Sequence, residues 1–145
     1  MEEYSVFSLA CKKKGLILKQ SSYSAKRNYS NFSLEGKGKK KSYIYLKKIQ
    51  TKKSVVWVQI KNKKGEPGWL FGSSDFLVFD TKSSFLIVSK EKMIKFIMKN
   101  LDKASHSLGV KSSFYCSSRR EGTNEQTTLV PIGDIEKISY EVWSK

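Results

Sequence analysis

The sequence predicts a single α/β (α+β) domain over residues 1–145, with a central mixed β-sheet flanked by helices. Three observations predict it. Short runs rich in β-branched and aromatic residues recur along the chain, as strands require. Apolar residues at helical spacing occur near the start, after residue 90 and near the end. Apolar residues make up 39% of the chain and aromatics 12%, a composition that folds rather than stays disordered.

The opening "MEEYSVFSLACKKKG" predicts a helix with Tyr4, Phe7, Leu9 and Ala10 near one face. Glu2 and Glu3 suit its positive N-terminal end, Lys12, Lys13 and Lys14 its negative C-terminal end, and Gly15 its stop. "LILKQS" is a strand, "SAKRNYSN" a polar connection and "FSLEGKG" a short strand ending at its glycines. "SYIYLKKI" and "SVVWVQI" are strands separated by "QTKK", which predicts a hairpin. "NKKGEPG" is a turn. Trp69, just after Pro67-Gly68, is expected to be a hydrophobic plug.

"DFLVFD" and "SFLIVS" are almost continuously apolar, so both predict strands buried on both faces. "KEKMIKFIMKNL" then places Met93, Ile94, Ile97, Met98 and Leu101 on one stripe, with Ser89 as N-cap. "FYCSSRREGTNEQTTLVPI" predicts a strand, a polar loop and a strand. "GDIEKISYEVW" predicts a closing helix capped by Asp134, with Ile135, Ile138 and Val142 inward.

Charge is unevenly distributed. Residues 1–64 carry 17 Lys/Arg and 3 Glu, a balance of +14, while residues 65–145 are near-neutral at +1. Concentrated positive charge attracts a polyanion, and nucleic acid binds such surfaces by phosphate neutralisation and counterion release. DNA is expected before RNA. The candidate phosphate-binding residues are the clusters Lys12–Lys14, Lys39, Lys40 and Lys41, and Lys61, Lys63 and Lys64. Lys47, Lys48, Lys52 and Lys53 alternate with Tyr43, Tyr45 and Trp57, and Arg119 with Arg120 makes a pair able to clamp a phosphate. A solvated lysine-rich face is the simpler reading of the same residues.

Other classes are set aside. No run approaches the ~20 apolar residues of a membrane helix, and no amphipathic basic helix suggests a membrane surface. The acidic start lacks the apolar core of a secretory signal, so a cytoplasmic, intracellular location is expected. Cys11, Cys116 and the single His106 form no disulfide framework or metal spacing. One histidine argues against a Ser-His-Asp site, and "EGKGKKK" lacks the spacing of a phosphate-binding loop. A monomer and a homodimer both remain open.

The segments "PGWLFG", "SDFLVF" and "SKEKMIKFI", followed by the Arg pair before "TTLVPIGDIEKI", resemble the PD-(D/E)XK nuclease superfamily, in its small phage or mobile-element form. The likeness covers about residues 30–140. It implies a restriction-endonuclease-like fold, a bacterial or phage-infected host cell and Mg²⁺- or Mn²⁺-dependent cleavage of DNA. "LEGK" then supplies Glu35 and Lys37 in acidic-x-Lys order as catalytic residues, with Glu3 or Glu2 as a helix carboxylate beside Glu35 on the metal. In a second register "SYIYLKK" is the motif strand, Tyr45 takes the acidic place, Lys47 remains and Glu35 takes the Asp place. The motif is incomplete in both, because no Asp precedes Asp75. A non-catalytic nucleic-acid-binding or regulatory module and a small ribonucleoprotein component are the alternatives.

Overall fold

The computed structural model describes residues 3–22, 29–36, 38, 40–49, 54–105, 114–119 and 122–145. Helix α1 (Glu3–Lys13) leads into strands β1 (Leu16–Gln20), β2 (Phe32–Gly36), β3 (Ser42–Lys48) and β4 (Val55–Lys61). A 3₁₀ turn (Trp69–Phe71) precedes β5 (Phe76–Asp80), β6 (Ser84–Ser89) and α2 (Lys90–Ser105). The chain closes with β7 (Ser118–Arg119), β8 (Gln126–Pro131), α3 (Ile132–Ile138) and β9 (Glu141–Ser144). The fold is mixed α/β in one domain, with a six-stranded sheet of order β1-β2-β3-β5-β6-β9 and a three-stranded sheet of order β4-β8-β7.

In the large sheet β3 and β5 are parallel, and the other neighbours are antiparallel. A parallel pair cannot be joined by a tight turn. The chain therefore leaves β3, builds β4 and the 3₁₀ turn in a second layer, and returns to β5. This corrects the expected β3–β4 hairpin. Both edges of β3 are taken, by β2 and β5, and β4 pairs instead with β8, Trp57 opposite Leu129.

Two cores follow from the alternation of side chains. Leu77, Phe79, Leu86 and Val88 face the second layer, where they meet Val56, Val58, Trp69, Leu70, Met93, Ile97, Val130 and Ile135. Val78, Phe85 and Ile87 face the other way and meet Phe7 and Cys11 of α1, Phe32, Ile44 and Trp143. The continuously apolar text of β5 and β6 thus reflects burial on both faces. Each such side chain contributes roughly 1.5–3 kcal/mol when fully buried.

The sheet curls around α1. Phe7 touches Phe85 at 5.0 Å and stacks on Trp143 at 5.7 Å between ring centroids. Lys14, two residues before β1 at one edge, holds its ammonium 5.9 Å from the ring of Trp143 on β9 at the other edge. Gly15, at φ +74, allows the reversal from α1 into β1. Cys11 is buried in this core, and burial pushes its thiol pKa up to about 12; Cys116 is exposed, and neither cysteine is in a disulfide.

Three further expectations are corrected. Leu9 and Met98 are exposed, at 61% and 46%. Phe7 and Cys11 fill the inward face of α1, and Met98 lies on the flank of the stripe that Met93, Ile97 and Leu101 fill. The closing helix ends at Ile138, because Ser139 turns extended (ψ 138), and the next residues form β9. Trp143 is buried there and Val142 exposed, the period of a strand. Asp134 lies inside the first turn of α3 and accepts a hydrogen bond from the Tyr115 hydroxyl at 2.7 Å; Pro131 is the N-cap. Ser89 does precede α2, with Lys92 N–H 3.5 Å from its Oγ.

Phe79→Ala and Ile97→Ala are each expected to cost about 2–5 kcal/mol in chemical denaturation through cavity formation, while Met98→Ala stays within about 0.5 kcal/mol of wild type. Equal costs at Ile97 and Met98 would contradict this orientation of α2.

Candidate nucleic-acid interface

The register of β1 against β2 builds the basic end of the molecule. Leu16 lies opposite Gly36, so the turn leaving α1 and the turn leaving β2 sit at the same end of the sheet. The first carries Lys12, Lys13 and Lys14, and the second carries Lys40 and Lys41, all exposed. Lys12 and Lys13 occupy the last turn of α1, where the helix dipole favours positive charge. Lys37 and Lys39 belong to the same β2–β3 connection in sequence but lie outside the described residues.

Glu35 is one carboxylate of this end; Asp75, whose Oδ2 accepts from the Tyr43 N–H at 2.8 Å, is another. Glu35 stands 3.5 Å from Lys19 Nζ and 3.9 Å from Lys41 Nζ. The Lys41 ammonium also lies 5.3 Å from the centroid of the Tyr43 ring. These are exposed pairs, so each contributes only about 0–1 kcal/mol. Their effect is to hold lysines of β1 and the β2–β3 turn about one carboxylate. The Glu3 side chain is outside the description, and among the described residues no group of three His, Cys, Asp or Glu is placed to hold a metal ion. The described side chains therefore do not make up a ligand set for Mg²⁺ or Mn²⁺, which bind through several oxygens. The buried Asp80 is already paired with the Lys145 ammonium, which also donates to Thr81 O at 2.6 Å.

A second basic group stands on the hairpin after β4. Lys61 bridges Pro67, and Lys63 and Lys64 lie exposed at the tip between them. Local hydrogen bonds and a glycine turn shape the tip. Asn62 Oδ1 accepts from the N–H of Lys64 and of Glu66, both at 3.0 Å, and Gly65 turns at φ +84. Gly68 passes so close to β4 that a Cβ there would lie 2.6 Å from Gln59 O.

Between this hairpin and the start of β2 is a cleft of about 360 Å³, lined by Tyr29, Asn62, Glu66, Pro67, Phe71, Gly72 and Ser73. Tyr29 has φ +62, a left-handed conformation that costs a bulky residue of the order of 1–3 kcal/mol. Neighbouring contacts hold it there. Its ring meets Tyr45 edge-on at 5.9 Å, and Tyr45 stacks on Trp69 at 5.4 Å. The adjacent Ser30 shares a 2.8 Å hydrogen bond with Ser73, and Asn31 bonds both the N–H and C=O of Leu46. Burial, then the nearby Tyr29, raises the Tyr45 pKa.

The remaining candidates are spread out. Lys47 is half-buried with its ammonium 5.5 Å from the Trp69 centroid, and burial lowers its pKa. Lys48 is exposed at the end of β3, away from the Lys12 and Lys40 turns. Trp57 is 52% exposed on the outer face of β4. Trp69 is buried, as its place after Pro67-Gly68 suggests. Lys52, Lys53 and Arg120, and the side chain of Arg119 on β7, lie outside the description. Sequence reasoning missed the cleft. Its one signal was an aromatic residue, Tyr29, set inside a polar connection.

Comparisons with models of protein families, with curated proteins and with solved structures find no match. Among the described residues no helix is long and apolar enough to cross a membrane.

Gly68→Ala is expected to destabilise the fold by more than about 1 kcal/mol, because the added methyl meets backbone that cannot give way. An unchanged thermal midpoint would show that the hairpin is free to move off β4.

Proposed function

We propose that this protein binds nucleic acid, DNA before RNA, through the basic end of its large sheet. The observation that carries the reading is the convergence of Lys12, Lys13 and Lys14 with Lys40 and Lys41 through the pairing of Leu16 with Gly36. Five exposed ammonium groups on two adjacent turns suit successive phosphates. They carry no means of reading base sequence, so binding is electrostatic and sequence-tolerant. The preference for DNA comes from the likeness to a DNA-cleaving superfamily, and that likeness also supports the restriction-endonuclease-like reading of the fold.

Affinity for duplex DNA is expected to fall by about 10²–10³ between 50 and 200 mM salt, for roughly five phosphate contacts. Lys12, Lys13 and Lys14 changed together to Ala should lower the slope of log K against log salt by about one unit for each phosphate no longer neutralised. A flat salt response would reject the reading, and tighter binding of duplex RNA at every salt concentration would turn it toward RNA.

The endonuclease form of the reading, with Glu35 and Lys37 at the scissile phosphate and Mg²⁺ or Mn²⁺ as the metal, is supported by the sequence likeness. The two lysines around Glu35 favour the binder instead. Supercoiled DNA incubated with titrated Mn²⁺, using wild type and Glu35→Ala prepared alike, distinguishes them. The expected outcome is binding without nicking in both; nicking by wild type that Glu35→Ala abolishes would establish the nuclease.

A further inference from the structure

The cleft beside the β4 hairpin takes no part in the phosphate contacts described above. We infer that it receives an unpaired base of a DNA strand, with Tyr29 and Phe71 supplying stacking surface; the inference rests on the nucleic-acid reading.

Three observations lead there. The cleft holds about 360 Å³, within the usual range of small-ligand sites. Two of its lining residues are aromatic, and Phe71 is exposed on its 3₁₀ turn although Trp69 and Leu70 beside it are buried. Tyr29 keeps a left-handed backbone that a bulky residue rarely adopts, braced by the Tyr45 and Trp69 rings and by the Ser30–Ser73 hydrogen bond. Such held strain belongs to sites that are formed before the ligand arrives.

The polar lining suits the edge of a base. Asn62 commits its Oδ1 to the hairpin backbone, and its Nδ2 has no partner among the described residues. Glu66 is exposed, and its carboxylate likewise has no partner among them. An amide donor and a carboxylate acceptor are the groups that bond base edges. Lys61, Lys63 and Lys64 on the same hairpin stand ready for the phosphates that flank the base. A purely apolar ligand would leave these polar groups unsatisfied. The combination of aromatic walls, a polar edge and adjoining lysines is that of a single-strand site, where stacking tolerates any base. A paired base has both faces covered in the duplex stack and cannot enter.

The test compares three ligands under one low-salt condition: a full duplex, the same duplex with a short single-stranded gap containing 2-aminopurine, and the free 2-aminopurine nucleotide. Wild type is expected to bind the gapped duplex about tenfold more tightly than the full duplex, with a change in 2-aminopurine emission. Phe71→Ala should lose about tenfold on the gapped duplex and stay unchanged on the full duplex. Tyr29→Ala should do the same, and Tyr29→Phe should restore binding. If Tyr29→Ala fails to fold, the exposed Phe71 carries the test, with its melting curve matched to wild type. Equal binding of gapped and full duplex by wild type, or an equal loss on both in Phe71→Ala, would overturn the cleft assignment while leaving the phosphate reading intact. Free nucleotide bound as tightly as the gapped strand would overturn its assignment to a strand. Binding of none of the three would reject nucleic-acid recognition itself.

Discussion

The parallel pairing of β3 with β5 is the constraint on which the rest of this structure depends. Two parallel neighbours require a crossover, and residues 49–75 supply it. That excursion places β4 over one face of the large sheet, where β8 adds to it and α2 and α3 complete the cover. It also carries Trp69 onto Tyr45 and sets the Lys61–Pro67 hairpin beside Tyr29. The second core and the cleft are therefore consequences of one topological choice. Had β3 and β4 formed the simple hairpin that their texts suggest, Tyr45 would have no Trp69 to stack on and the cleft would have no wall.

The opposite face depends on curvature. A flat sheet of six strands would be too wide for an 11-residue helix to touch both edges, yet α1 reaches Trp143 on β9 through Phe7, and Lys14, just past its end, lies over the same ring as the chain turns into β1. Curling encloses Phe7 and Cys11 completely and leaves the C-terminal end of α1 open. The lysines that would be costly inside the curl are therefore displayed at its mouth. Repulsion at this end is eased by solvent, by the negative end of the α1 dipole at Lys12 and Lys13, and by Glu35, which pairs with Lys19 and Lys41. The basic end and the curled sheet are two aspects of one arrangement.

Chemistry is distributed along this frame by burial. Asp80 is buried and joined to Lys145, so it serves packing. Lys47 lies half-buried above an indole, and Cys11 sits deep in a core. Groups free to meet a ligand lie on the turns: the lysines at the ends of α1 and β2, and Asn62 and Glu66 on the hairpin. The two-core scaffold thus presents its unburied polar groups on turns.

Much of this was legible in the sequence, and the limits have physical causes. The strands β5 and β6, the helix α2, the turn "NKKGEPG" and the buried Trp69 follow from local pattern, because period, turn chemistry and burial on both faces leave marks within a few residues. The uneven charge was equally plain. The partners of β3 and β4 were not, because pairing is decided between residues far apart, and either strand reads the same beside any neighbour. The end of α3 was misjudged because "YEVW" satisfies helical spacing almost as well as alternation, and only the place that Phe7 and Phe85 offer to Trp143 decides for a strand. The sequence by itself determined the mixed α/β composition, the core residues of the central strands and a strongly positive first half. Tertiary structure alone decided which lysines stand together, that Glu35 lies between two of them, and that Tyr29 and Phe71 share a cleft, since proximity across separate elements arises from register and crossover rather than from neighbouring residues.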